Sequence, residues 1–322
     1  MNELLVKSDN IKNYSLDSSR AYCRRKTWGH YENFSVASFL FPRELRSPIE
    51  TVYAYCRFSD DLGDENDGSK IQRELAIKKL NQWEHELNLT FDYAISIRNQ
   101  QNIFPDTPPV THPIFISLID VIHKFNLPKE PFANLLIAFK QDQIKQEYQT
   151  LEELLDYCKN SADPVGRIVL HLAFAADKQK NDEITIDQKL INWSDSICTG
   201  LQLANFWQDI KRDLSIGRCY IPKNIASRYG VDLENLNWNQ EFRSMMTELV
   251  EDARQRIING IPLLNEIPDS IKFNISIIIR GGLAILDAIK KINYNVLKKR
   301  PVVSGLKKLN IALAALLKRK IR

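Results

Sequence analysis

Glycine is scarce in this chain, 11 of 322 residues, and neither a GxGxxG nor a P-loop stretch occurs. Both phosphate cradles need closely spaced glycines to bring backbone N–H groups against a nucleotide, so their absence counts against a nucleotide site of the common kinds. The five cysteines (Cys23, Cys56, Cys158, Cys198 and Cys219) are odd in number, scattered and without CxxC spacing. They read as reduced thiols of a cytosolic protein rather than a disulfide or zinc framework. No HExxH or comparable spacing links the histidines, so zinc is not expected. No stretch approaches the uninterrupted apolar length of a membrane span, and the opening MNELLVKSDNIKNYS has no apolar signal core. A net charge of +4 is too small to imply nucleic acid.

Period-two alternation is missing as well, and helical periodicity fills the chain instead. The expected helices cover 19–28, a segment starting near Pro42 and carrying Ile49, Val52, Tyr53 and Cys56, then 68–92, 113–125, 129–146, 151–174, 187–213, 239–261, 268–297 and 303–319. Residues 102–113, NIFPDTPPVTHP, form the one proline-rich loop. A hydrophobic content of 44% suffices for a sizeable core. The expectation is an all-α protein with a partly ordered segment 1–18, one domain over 19–305 and a basic amphipathic tail 306–322.

The stretch QLANFWQDIKRD places Gln202, Asn205, Asp209 and Asp213 at offsets 0, 3, 7 and 11. At about 100° per residue these fall within roughly 80° of one helical face. Two carboxylates and two amides thus share a side on a helix otherwise rich in Leu, Phe, Trp and Ile, an arrangement that costs free energy to bury without a ligand. A solvated face is the equal alternative for one such helix. A second acidic helix, with Asp60, Asp61, Asp64 and Glu65, repeats the i,i+4 carboxylate spacing. Each like-charged pair costs a helix a few tenths of a kcal/mol. Their hard oxygen ligands suit Mg²⁺, which bridges one or two carboxylates to a phosphate and keeps several waters. Two acidic walls across a helical cavity would hold Mg²⁺ around a diphosphate and assist its departure; structural or solvated carboxylates remain the competing reading.

DDLGD (60–64) and QLANFWQDIKRD (202–213) resemble the two aspartate-rich motifs of the squalene/phytoene synthases. FPRELR (41–46), YAYCRFSDD (53–61), YCKNSADPVGR (157–167), GRCYIP (217–222) and INYNVLKKRP (292–301) follow the family order. The resemblance implies an all-α isoprenoid-synthase fold with a central cavity and Mg²⁺-dependent chemistry on prenyl diphosphates. By position it implies Asp60, Asp64, Asp209 and Asp213 as Mg²⁺ ligands, with Asp61 and Asn205 in support. Arg57 would contact diphosphate, Tyr53 and Tyr294 would lie near it and the first motif, and Gln202 would be a polar position of the second. Lys223 would add positive charge.

Two departures narrow the branch. HYENFSVASF (30–39) stands where condensing members carry a Ser-Phe element, and Gln208 precedes Asp209 where they tend to have Arg. Both are similar to the bacterial hydroxysqualene synthases, which ionise presqualene diphosphate and let water capture the cation without NADPH. A head-to-head condensing enzyme using farnesyl diphosphate or another prenyl diphosphate is the alternative. A non-catalytic scaffold of the same fold is the rival from another class, and the intact aspartates argue against it.

His30, Tyr31 and Glu32 read as a polar patch at a helix entry or as a guide for water, and Gln146 and Tyr148 as cavity-facing or solvated helix residues. Gly166 is expected to permit a helix break. Trp28, Trp83, Trp193 and Trp238 read as packing. Lys298, Lys299, Arg300, Lys307, Lys308, Lys318, Arg319, Lys320 and Arg322 alternate with leucines and isoleucine, with no acid between them. Two readings stand: a tail resting on an anionic membrane, and a solvated helix end. The protein is expected to be cytoplasmic, peripheral at most, with other squalene or hopanoid pathway enzymes as partners by resemblance.

Overall fold

The computed structural model describes residues 14–28, 41–64, 69–99, 107–177, 185–317 and 321. Among them there are helices and a single isolated bridge, Glu147 with Cys219, and no strand. The all-α expectation holds. Chain contacts define two compact units, one of residues 1–143 with 168–184, the other of residues 144–167 with 185–322.

The first unit holds α1 (Leu16–Trp28), α2 (Arg43–Asp64), α3 (Lys70–Arg98), α4 (Pro113–Phe125) and α5 (Glu130–Gln141). Local chemistry sets several ends. Ser69 accepts from the Gln72 N–H at the start of α3, and His112 accepts from the Ile114 N–H just before Pro113 opens α4. Burial lowers the His112 pKa to about 4, which keeps its ring nitrogen free to accept. Asn126 closes α4 in the left-handed conformation that Asn tolerates. Helices α1, α2, α3 and α4 pack on one another, with α5 against α2 and α3. Tyr55, Phe58, Trp83 and Phe115 meet in the core, centroids 4.2–6.3 Å apart where α3 meets α2 and α4. Their polar atoms are satisfied: the Trp83 indole donates to Ser59 at 2.9 Å and the Tyr55 hydroxyl to the Phe132 carbonyl at 3.1 Å.

The second unit holds α6 (Leu151–Ser161), the start of α7 (Asp163–Asp177), α8 (Gln188–Ser215), α9 (Lys223–Tyr229), α10 (Gln240–Asn259), α11 (Leu263–Glu266), α12 (Asp269–Lys291) and α13 (Gly305–Leu316). Helix α8 is its centre, packed by α6, α10, α11 and α12. Close approach requires glycine here: a Cβ on Gly200 would stand 2.9 Å from the Ala253 carbonyl and the Ile257 nitrogen of α10.

Three expected helices end differently. The 151–174 pattern is two helices, interrupted at Ala162 because Pro164 supplies no N–H to continue the ladder. Gly166 is therefore not the break; it lies inside α7, where a Cβ would strike Ser194 Oγ and Cys198 Sγ at 2.4 and 2.6 Å. The 129–146 pattern stops at Gln141. Beyond it the Gln146, Tyr148 and Gln149 carbonyls accept from Cys219, Lys223 and Asn224, so Gln146 and Tyr148 are not on a solvated helix. The 268–297 pattern stops at Lys291, where Asn293 and Tyr294 turn the chain with φ of 55° and 62°.

Candidate active site

Helix α2 is buried on nearly every side. From Ile49 to Gly63 every residue is buried except Tyr53, Cys56, Arg57, Asp60 and Asp61. Their spacing puts Tyr53, Arg57 and Asp60 on a common face, one and two turns apart. The accessible stripe of this core helix thus consists of expected site residues plus one cysteine. Arg57 serves both carboxylates, with Nη1 3.5 Å from Asp60 Oδ2 and Nε 2.9 Å from Asp61 Oδ1. Asp64 ends the helix; its side chain, Glu65 and the 30–39 element lie outside the described residues. Sequence reasoning passed over Cys56. Burial and the nearby Asp60 push its thiol up to about 12, so it is no nucleophile at neutral pH.

On α8 the four polar positions differ in access. Asn205 is exposed, Gln202 and Asp213 are half-buried, and Asp209 is buried at 6% exposure. Asp209 survives burial because Arg300 grips it with two donors, Nε to Oδ1 and Nη2 to Oδ2, the latter at 3.0 Å. Beside it the Gln208 amide donates to the Pro301 carbonyl at 2.6 Å. The arm after α12 is thereby fastened to the second aspartate motif. Asp213 has no such clamp; burial first and Asp209 second push its pKa up to about 7, against the pull of Arg212, Arg218 and Arg300. The Arg218 N–H donates to the Asp213 carbonyl at 2.9 Å, anchoring the GRCYIP strip at the end of the stripe. Tyr294 is buried in its left-handed turn, its N–H on the Ile289 carbonyl.

Arg300, which the sequence pattern places among the tail cations, is instead a partner of the site. Lys223, expected to add charge, is paired with Glu147 at 2.5 Å. The polar face of α8 also runs further back than the motif. Thr199, three residues before Gln202, donates to the buried Asp163 at 2.8 Å, and Asp195 takes a two-pronged contact from Arg167 at 3.0 and 2.7 Å. On the flank of α8, Phe206 stacks on Tyr220 at 3.9 Å, with Tyr148 and Tyr157 extending the aromatic cluster.

The stripe suits a hard cation. Asp209 already recruits a guanidinium, and Asp213 is held toward its protonated form by burial first and by the neighbouring Asp209 charge second. Among the described residues no three His, Cys, Asp or Glu side chains converge as a ready cage. Two carboxylates supplemented by amide oxygens, water and a phosphate group match the way Mg²⁺ binds.

The all-α architecture matches the isoprenoid-synthase fold. A family model described as squalene/phytoene synthase matches residues 28–307, and the chain belongs to that family, whose enzymes use prenyl diphosphates. It is similar to the squalene synthase HpnC from Alicyclobacillus acidocaldarius, with 35% identity and a TM-score of 0.74 over 88% of this chain and 98% of that one. A hydroxysqualene synthase of Zymomonas mobilis is 31% identical over 212 residues, 65% of this chain and 61% of that protein. A phytoene synthase of Arthrospira platensis is 26% identical over 296 residues, 89% of each.

Proposed function

We propose that this enzyme ionises presqualene diphosphate and releases hydroxysqualene and diphosphate, with Mg²⁺ bound by Asp60, Asp64, Asn205, Asp209 and Asp213. The observation that carries the reading is the Asp209–Asp213 pair one turn apart on α8, Asp209 buried and Asp213 half-buried, with Arg300 meeting Asp209 from outside the helix. Mg²⁺ held by these residues would supply the positive charge that neutralises a departing diphosphate. The chain's own residues bind and orient it. Asp209 and Asp213 supply the hard oxygens, with Asn205 open beside them, and Arg57 offers a fork suited to phosphate oxygens. Loss of diphosphate moves the C–O electron pair to the leaving oxygen. The cyclopropylcarbinyl cation rearranges, water adds through oxygen, and one proton goes to solvent. No hydride donor takes part, so NADPH is not required.

The branch assignment is supported by Gln208 before Asp209, by the ENF element and by similarity to hydroxysqualene synthases. Head-to-head condensation of two prenyl diphosphates is the second reading, favoured by the likeness to phytoene synthases over most of the chain. The deciding experiment incubates purified protein and Mg²⁺ with presqualene diphosphate, and separately with farnesyl or geranylgeranyl diphosphate, and resolves the lipid products. Hydroxysqualene from presqualene diphosphate is expected. Products from farnesyl or geranylgeranyl diphosphate alone overturn the branch assignment, and no turnover of any of them restores the scaffold reading.

A further inference from the structure

Helix α13 binds α12 by a narrow edge. Ile311 and Ala315, one turn apart, are its buried residues. Taking about 100° per residue, Leu306, Leu309, Leu313 and Leu316 occupy a sector on the opposite side. All four face outward, Leu306 at 78% and Leu316 at 66% exposure, and Leu317 and Val302 lie open beside them. Monomeric proteins rarely leave so continuous an apolar strip uncovered unless it meets a partner.

Charge identifies the partner. From Ala288 to Arg322 the chain has no acidic residue. Lys307 and Lys308 are exposed on the two flanks of the helix beyond the strip, Lys298 and Lys299 are exposed in the segment before it, and Lys318, Arg319 and Lys320 follow it in sequence. Two copies meeting through this face would bring like charges together, which opposes self-association. An anionic leaflet matches both properties, accepting leucines below the headgroups while lysines reach the phosphates. Twelve residues span roughly 18 Å, short of the ~30 Å hydrocarbon core, so the helix lies in the surface. We propose that α13 is an in-plane anchor that docks the enzyme on an anionic lipid surface through the Leu306–Leu309–Leu313–Leu316 strip.

The anchor is tied to chemistry by its neighbours in sequence, since Arg300 and Pro301 are fastened to Asp209 and Gln208. Docking α13 therefore presents the α8 stripe close to the surface in which a prenyl lipid partitions. This consequence rests on the proposed reaction; the lipid binding itself does not, and is read without turnover.

The test is flotation of the full chain with phosphatidylcholine vesicles and with vesicles also containing phosphatidylglycerol, in low and high salt. Binding is expected on the anionic vesicles and to weaken with salt. Replacing Leu306, Leu309 and Leu313 together by Gln is expected to reduce the partition coefficient at least about tenfold. Lys307→Glu with Lys308→Glu should lower it about thirtyfold or more, at roughly 1 kcal/mol per cation removed. An unchanged circular dichroism spectrum and melting curve for each variant exclude misfolding; a variant that fails this check is replaced by single Leu→Gln substitutions, read the same way. Equal flotation on both vesicle types, or full binding by the leucine variants, overturns the proposal. So does lipid-free dimerisation of the parent that the leucine substitutions abolish, because the strip would then be a protein interface.

Discussion

Arg300 closes two donors onto the Asp209 carboxylate across 91 residues of sequence. A residue assigned to metal binding is thus held by a cation of the chain itself. Arg300 is about half exposed and Asp209 is not, so the contact matters chiefly to the aspartate: removing the guanidinium leaves a buried charge without its partner.

Arg300→Gln should therefore lower the melting temperature by about 2–4 °C without divalent cation, equivalent to about 1 kcal/mol after allowance for the exposed guanidinium. Added Mg²⁺ should stabilise the variant more than the parent, because it replaces the lost charge. Thermal melts with and without Mg²⁺ check both; identical Mg²⁺ responses would mean that Arg300 and metal do not share Asp209.

Asp60→Asn and Asp209→Asn should each lose most activity, about 10²-fold or more in kcat, while remaining folded. Steady-state kinetics beside circular dichroism separates the two effects. Near-normal turnover in either variant contradicts the metal assignment.

Asp163 makes a prediction about pH. Burial first, and Asp195 second, raise its pKa from 3.8 to about 7, against Thr199, Arg167 and Lys159. The folded state holds this proton more tightly than the unfolded chain. Its contribution is therefore fully present below about pH 4 and is lost as pH rises toward 7. Asp213 acts with the same sign. Asp163→Asn should flatten the fall in stability between pH 5 and 8 and gain on the order of 1–3 kcal/mol at pH 8. Denaturation at both ends of that range is the measurement, and parallel curves for variant and parent would reject it.

Gly200→Ala should destabilise the second unit by about 1–3 kcal/mol, because the added methyl meets, besides the Ile257 side chain, two backbone atoms of α10 that cannot swing away. Urea unfolding reads this directly. Gly282→Ala should cost less, since its nearest obstacle is the Leu201 side-chain end.

Much of this architecture is legible in the sequence, and the illegible parts share a cause. The Gln202–Asp213 stripe and the ends of α4 rest on spacing and on adjacent residues, so periodicity and capping find them. The early end of α5 has no local signal, because residues 146–149 pair with 219–224 some seventy positions later. Arg300 was hidden for the same reason: among several successive cations, sequence pattern does not say which one turns inward to a carboxylate. Pro164 is a local signal of the break at Ala162, whereas Gly166 belongs inside α7 for its close packing on Ser194 and Cys198.

Gly63 lies between Asp60–Asp61 and Asp64, and the space a Cβ would need is taken by the Gln143 amide at 2.9 Å. Gln143 is itself fixed by donating to the Phe139 carbonyl at 3.2 Å. The missing methyl therefore has a local use: it leaves room for the Gln143 amide to lie against the acidic last turn of α2.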